Sequence, residues 1–359
     1  MTRSNLSAPV DEKEILRQAQ SWRREGRGVA IATVAETFGS APRPAGSHLV
    51  VEEGGLFCGS VSAGCVEGDV IAAALDCIAD GAPRGLEFGV ADETAWRAGL
   101  SCGGRIVVYV ERVDDARSAL LSEIIAETAA RRPCALLVSP DGGAARLLRV
   151  AEIADATLEG ALGAMLRAGA SGPVDSGGRR LFVRFYGPGP RLILIGAVHV
   201  AQALAPMAAI AGFDVVIVDP RAAYAARERF PGAQLDLRWP DEALPAIGLD
   251  AYTAVAALTH DPKIDDSALR LALASDCFYV GALGSRATHG RRLQRLTANG
   301  VPPAAIERLR APIGLDIAAV SPAEIAVSIL SELILARGQK PLRSVQAPEP
   351  AGRLVSCGA

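Results

Sequence analysis

Two hydrophobic periods succeed one another along this chain. Residues 11–25 place Ile15, Leu16, Ala19 and Trp22 on one face of an otherwise charged segment, which predicts an amphipathic helix. Gly28–Ala35 (GVAIATVA) is an apolar run of strand length. His48–Glu52 and Leu56–Gly59 flank Gly54-Gly55, a two-residue hairpin signature. A helix is expected from Val66 to Ala79 and another over 117–131. Strands are expected at Arg105–Glu111, Cys134–Val138, Arg146–Glu152 and Leu181–Phe185. Short strands, glycine-rich loops and few helices make this first part α+β.

Tyr186-Gly-Pro-Gly-Pro190 reads as a linker. Beyond it the pattern becomes βαβ. Arg191–Ile195 is a buried strand, Val200–Ala211 a helix and Asp214–Val218 a second strand. Thr253–Leu258 and Cys277–Gly281 are further strands. Ser321-Pro322-Ala323-Glu324 opens a helix to Ala336, with Ser321 as N-cap, Pro322 at the first helical position and Glu324 closing a capping box. The expected fold is therefore α/β: an N-terminal α+β domain over 1–188, then a C-terminal Rossmann-like parallel-sheet domain over 189–338. Residues 339–359 are rich in Pro, Gly and Ser and are expected to form a flexible tail.

With 359 residues and half of them hydrophobic, the chain can bury two cores. A net charge of −3 without a basic run argues against nucleic-acid binding. Residues 1–27 are charged throughout and contain no apolar signal core, and no apolar run of about 18 or more residues suggests a membrane span. The seven cysteines are odd in number and contain no CxxC pair, so thiols in a cytoplasmic protein fit better than a disulfide framework or a structural zinc.

Candidate chemistry gathers first in the C-terminal part. LILIGAVHVA (192–201) is followed, 23 residues after Gly196, by Asp219. Strand, glycine turn, helix, second strand and terminal acid form the dinucleotide-binding layout. The middle glycine of that fingerprint is Val198 here, which weakens an NAD(P) reading. The segment is either a nucleotide site or a Rossmann fold whose cofactor site has degenerated. His199, His260 and His289 all fall near strand ends, together with Thr259, Asp261, Lys263, Ser285 and Arg286. Loops at the carboxyl ends of an open α/β sheet share one rim, so these residues suggest an anion-binding crevice. No HExxH-type spacing supports metal ligation by these histidines.

In the first part, three glycine loops lie near strand ends: Gly39–Gly46, Gly59–Asp69 and Ser101–Gly104. The second leads into a helix N-terminus, where a thiol gains thiolate character. Cys65 occupies that position, Glu67 follows it, and Cys102 sits in the third loop. Either cysteine could instead be a small core filler. Cys77 and Cys134 fall on core faces.

GSAPRPAGSHLVV, GSVSAGCVEGDV and LSCGG in the first half resemble the XdhC/CoxI family. So do GAVHVAQALA, DPRAAYAARERFPGA, LTHDPKIDD, YVGALGSRATHGRR and PIGLDIAAVSPAEIAVSIL in the second. The resemblance runs in order from about residue 11 to residue 338. It implies an accessory protein (chaperone) of molybdenum hydroxylases such as xanthine dehydrogenase. Such a protein binds molybdenum cofactor (molybdopterin), holds it for sulfuration by a cysteine desulfurase, and delivers it to the apo molybdenum hydroxylase; family members are often dimers, which implies a homodimer. Cofactor-binding candidates are then Cys65, Glu67, Cys102, Gly196, His199, Asp219, His260, Ser285 and Arg286, with Cys65 and Cys102 as thiolates for molybdenum, and no catalytic residue. One departure stands out: the family pattern reads Gly-Ala-Gly-His where this chain has Gly196-Ala-Val198-His199. The alternative is an NAD(P)-dependent oxidoreductase using the Rossmann half, for which no substrate-binding pattern is evident.

Overall fold

A computed structural model describes residues 12–39, 41–89, 104–139, 145–149, 152, 160–176 and 178–338, which build three sheets. The N-terminal sheet is antiparallel in the order β3-β2-β1-β5-β4, with β1 at Val29–Phe38, β2 at His48–Glu52, β3 at Phe57–Gly59, β4 at Arg84–Phe88 and β5 at Arg105–Arg112. Its period-two alternation assigns each residue to a face. Val29 and Ile31 of β1 join Ile15, Leu16, Ala19 and Trp22 of α1 (Glu12–Arg24) and Leu121 and Ile124 of α3 (Asp115–Ala129). Ala30, Ala32 and Val34 point the other way, onto Val70, Ala74 and Cys77 of α2 (Glu67–Asp80). The β2–β3 hairpin turns at Gly54-Gly55 as expected, with Gly55 at φ +86°.

A second antiparallel sheet, β7-β6-β9-β8, is made of Cys134–Val138 (β6), Arg146–Arg149 (β7), Gly172–Ser176 (β8) and Arg179–Tyr186 (β9). Leu162 and Leu166 of α4 (Gly160–Arg167) pack on it. Of the strand expected over Arg146–Glu152, Arg146–Arg149 is described as strand. The Glu152 carboxylate accepts from the Arg149 amide at 3.0 Å and the Arg146 guanidinium at 2.8 Å, so it folds back on the strand end.

The C-terminal sheet is parallel throughout, in the order β12-β11-β10-β13-β14-β15. Along the chain run β10 (Arg191–Ile195), α5 (His199–Ile210), β11 (Asp214–Val218), β12 (Gln234–Asp236), α6 (Pro240–Ile247), β13 (Thr253–Ala257) and α7 (Pro262–Leu273). Then follow β14 (Tyr279–Ala282), α8 (Arg286–Ala298), α9 (Pro303–Ile306), β15 (Leu309–Arg310) and α10 (Pro322–Gly338). Both faces are buried, as parallel sheets require. Leu192, Leu194, Ala254 and Ala256 pack under α5 and α10; Ile193, Ile195, Val255 and Ala257 pack under α6 and α7. The capping box of α10 forms as the sequence predicts: the Glu324 amide donates to Ser321 Oγ at 3.3 Å and the Ser321 amide to Glu324 Oε2 at 2.8 Å.

The two halves are joined across the linker. Arg131, just beyond α3, donates from Nε and Nη2 to the Asp250 carboxylate at 2.6 and 2.9 Å, and from Nη1 to the Gly189 carbonyl at 3.2 Å. No helix among the described residues is long and apolar enough to cross a membrane. The expected tail at 339–359 lies outside the described residues.

Candidate functional site

Strand order reverses direction at β10, with β11 on one side and β13 on the other. The loops after β10 and β13 therefore part at the crevice where open α/β sheets bind ligands. Gly196 opens the first loop at φ +111°, and a Cβ there would stand 2.6 Å from Thr259 Cγ2 of the second. Only glycine combines that backbone angle with that approach. Val198 then N-caps α5 without a side-chain hydrogen bond, and His199, the first helical residue, is exposed on the rim.

Asp219, at the end of β11, is fully buried. Its Oδ2 accepts from the Ala197 amide and from Arg221 Nη2, both at 2.8 Å; its Oδ1 accepts from the Arg221 amide and Nε, both at 2.9 Å. Burial opposes its ionisation, but the Arg221 guanidinium and the two amides outweigh it and hold the carboxyl below the usual range. Arg221 in turn stacks on Tyr224, 4.2 Å from the ring centroid. The acid that the dinucleotide layout offers to a ribose is thus engaged inside the turn, and so is the Ala197 amide beside the expected pyrophosphate position.

The loop after β13 is held by a second buried acid. Asp265 of α7 accepts from Thr259 Oγ1 at 2.6 Å, from the Thr259 amide at 3.2 Å and from the His260 amide at 3.1 Å. These bonds set His260 in the left-handed region, φ +62°, with its side chain exposed. Asp261 caps α7 through the Lys263 amide at 2.9 Å. Ser285 caps α8, accepting from the Thr288 amide at 3.2 Å, and Arg286 is exposed at the first helical position. Gly196, His199, His260, Ser285 and Arg286 therefore lie on one carboxyl-end rim.

Between the loop after β13 and α8 is a cavity of about 300 Å³, whose buried arginine the sequence did not reveal. Its walls include His260, Thr288, Arg291 and Arg295, and its two buried residues are Asp265 and Arg292. Arg295 is committed to Asp266. Arg292 donates from Nη2 to the Leu283 carbonyl at 2.9 Å, while its Nε and Nη1 are buried without partners. His289 Nδ1, on the same helix, is also buried without a partner, and burial together with Arg292 lowers its pKa. His260 and the segment THGRR carry the sequence signs of this cavity. Two consecutive arginines on a helix read as solvated, and nothing local shows that one of them turns inward.

In the N-terminal half, the loop between β3 and α2 wraps around Glu67. Its Oε1 accepts from Ser60 Oγ at 2.6 Å and from the Ser62 and Val61 amides at 2.9 and 3.2 Å. Oε2 accepts from Ser62 Oγ and from the Gly64 amide at 2.8 Å. Partial burial raises the cost of the charge, but these donors dominate and bring the carboxyl down to about 2. Ala63 and Gly64 adopt φ +62° and +115°, which aims their amides inward and leaves Cys65 exposed beside the α2 N-terminus. Glu67 thus organises the loop from inside while Cys65 is its outward group. Cys77 and Cys134 are buried, as expected from their faces. Cys102 lies outside the described residues, and no group of metal-binding side chains occurs among the described ones.

Comparison with known proteins fits this two-part architecture. A family model described as the XdhC Rossmann domain matches residues 192–333, and one described as the XdhC and CoxI family matches residues 22–89. The chain belongs to the XdhC and CoxI family. It is 29% identical over 328 residues, 91% of this chain and 89% of the relative, to an Escherichia coli protein named molybdenum cofactor insertion chaperone PaoD. It is 28% identical over 86% of its length, and 92% of the relative's, to a Bacillus subtilis protein named as a probable subunit of xanthine dehydrogenase. A crystal structure from Bacillus halodurans, described as a xanthine dehydrogenase, superposes with a TM-score of 0.71 at 25% identity, covering 93% of this chain and 98% of that one.

Proposed function

We propose that this protein is a molybdenum-cofactor-binding accessory protein that holds the cofactor while a cysteine desulfurase supplies its terminal sulfur and then delivers it to an apo molybdenum hydroxylase of the xanthine dehydrogenase class. The observation that carries this reading is the near full-length similarity to a relative named as a molybdenum cofactor insertion chaperone. The side chains fit such a cargo. A pterin with a terminal phosphate needs a cationic recess, and the described chain has one with unpartnered guanidinium nitrogens. The metal of such a cargo can accept a thiolate ligand, and Cys65 is exposed beside the α2 N-terminus. On this reading His199, His260, Ser285 and Arg286 line the approach, Cys65 and Cys102 are the thiolates for molybdenum, and the protein acts as a cytoplasmic homodimer.

The geometry gives the oxidoreductase alternative little support. The acid and the amide that a dinucleotide would use are already bonded to each other, and Val198 stands where the middle glycine would be. Anaerobic equilibrium dialysis with released cofactor tests the proposal. Saturable binding near one site per chain is expected, weakened by Cys65→Ala or Cys102→Ala but not by Cys77→Ser. Absence of saturable binding overturns the cargo reading; binding indifferent to both alanine variants overturns the thiolate role.

A further inference from the structure

The cavity beside α8 has a charge arrangement that the fold itself does not explain. Arg292 is 2% exposed, among the largest fully buried side chains of the described chain. One nitrogen is satisfied by the Leu283 carbonyl; two are not. Asp265 is its nearest acid, at 3.8 Å, but both Asp265 oxygens already accept hydrogen bonds from the Thr259–His260 loop. An ion pair at that separation leaves the guanidinium edge of Nε and Nη1 bare. A buried donor without an acceptor is destabilising, and a guanidinium cannot escape that cost by losing its proton.

The surroundings add positive potential. Arg291 lines the same cavity, is exposed, and has no partner among the described residues. Thr288 contributes a hydroxyl from the first turn of α8, a helix of 13 residues whose N-terminal dipole lies at this end. Against these stands Asp265. Asp266 is cancelled by Arg295. Two guanidinium groups against one carboxylate leave an excess positive charge, with Thr288, Arg291 and Arg292 at i, i+3 and i+4 on one face of α8. A planar carboxylate would use one guanidinium edge. A tetrahedral oxyanion can meet the Arg292 guanidinium, the Arg291 fork and the Thr288 hydroxyl on that face together. A cavity of about 300 Å³ is larger than a bare phosphate needs and leaves room for a substituent.

We propose that this cavity binds a phosphate monoester, with Arg292 as its buried anchor, Arg291 as its outer clamp and Thr288 as a hydroxyl donor. The shared chemistry is the phosphate group; its source is either the terminal phosphate of the pterin cargo or that of a separate small ester. The site stands on its own residues and does not require the cargo reading.

The test is calorimetry in low-salt, phosphate-free buffer with inorganic phosphate and phenyl phosphate, on the full chain and on Arg291→Ala and Arg292→Lys. The wild type is expected to bind phenyl phosphate, and each variant to bind it about tenfold or more weakly. If Arg292→Lys does not fold, the exposed Arg291→Ala decides alone. Anaerobic dialysis with released cofactor then separates the sources. A parallel loss in Arg291→Ala assigns the phosphate to the cargo, whereas intact cofactor binding with lost phenyl phosphate assigns it to a separate ester. No phosphate or phenyl phosphate binding by the wild type, or equal binding by the wild type and the folded variants, overturns the proposal.

Discussion

The Arg221 guanidinium lies edge-on to the Asp219 carboxylate in two parallel hydrogen bonds, Nε to Oδ1 at 2.9 Å and Nη2 to Oδ2 at 2.8 Å. Asp219 is fully buried while the Arg221 side chain keeps 30% of its surface in water. Asp219→Asn removes the charge that this fork and the Ala197 amide both use. The expected loss is about 2 kcal/mol, below the roughly 3–5 kcal/mol of a fully buried pair, because Arg221 can be resolvated. Urea denaturation at neutral pH measures it; an unchanged midpoint would show that the pair contributes nothing to folding.

The same pair bears on nucleotide binding. NADH and NADPH are expected to bind with dissociation constants in roughly the millimolar range or worse. Val198→Gly removes a β-branched side chain but leaves the Ala197 amide on Asp219, so it should improve affinity by less than about tenfold. Calorimetry of both proteins is the check. Micromolar binding by the wild type would restore the oxidoreductase alternative.

Gly196→Ala combines φ +111° with a Cβ 2.6 Å from Thr259 Cγ2. A cost of about 3 kcal/mol is expected from backbone strain and overpacking together. Gly212→Ala is the control, since its φ of +84° is equally unsuited to alanine but nothing lies within 4 Å. It should cost only about 1–2 kcal/mol. Equal losses would mean that the contact between the two loops is loose.

Glu67 makes one region acid-sensitive in a defined direction. Its folded carboxyl titrates near 2, against an ordinary value of 4.5. A depressed acid contributes stability that is complete above the unfolded value and lost as pH falls toward the folded one. The stability difference between wild type and Glu67→Gln should therefore be constant from pH 7 to about 5.5 and shrink between about 4.5 and 2. A difference that grew on acidification would refute this account of the loop.

Thiol exposure predicts an order of labelling. Cys65 is exposed; Cys77, Cys134 and Cys277 are buried, and burial pushes all three thiols up, Cys134 to about 12. Iodoacetamide at neutral pH followed by peptide mapping should find Cys65 modified well before these three, which should react only with denaturant. Early modification of Cys134 would mean that the second sheet opens readily.

Long apolar runs made the fold readable. Leu192–Ile195 and Thr253–Leu258 could be nothing but buried strands, and Ser321 with Glu324 marked a helix start that forms as expected. The strands Arg84–Phe88, Gly172–Ser176, Gln234–Asp236 and Leu309–Arg310 were not legible in the pattern because they are short or carry charge or proline. At the site, spacing located Gly196, Asp219 and Cys65 but not which way each acid faces. Asp219 and Glu67 are aimed inward by backbone amides from residues distant in sequence or in left-handed conformations, and a hydropathy pattern carries no record of those. Arg292 was hidden for the opposite reason: its burial comes from the packing of α8 against α7, not from its neighbours in the chain.

The β3–α2 loop supplies its own counter-charge. Five donors converge on one carboxylate that belongs to the loop itself, so the segment carrying Cys65 takes its shape during folding and not on encounter with a guest. Whatever engages that thiol meets a preorganised surface and does not spend affinity on ordering it. Departure is equally uncomplicated: the bonds that shape the loop are its own and none of them is made by the guest, which suits a surface that must be vacated as readily as it is filled.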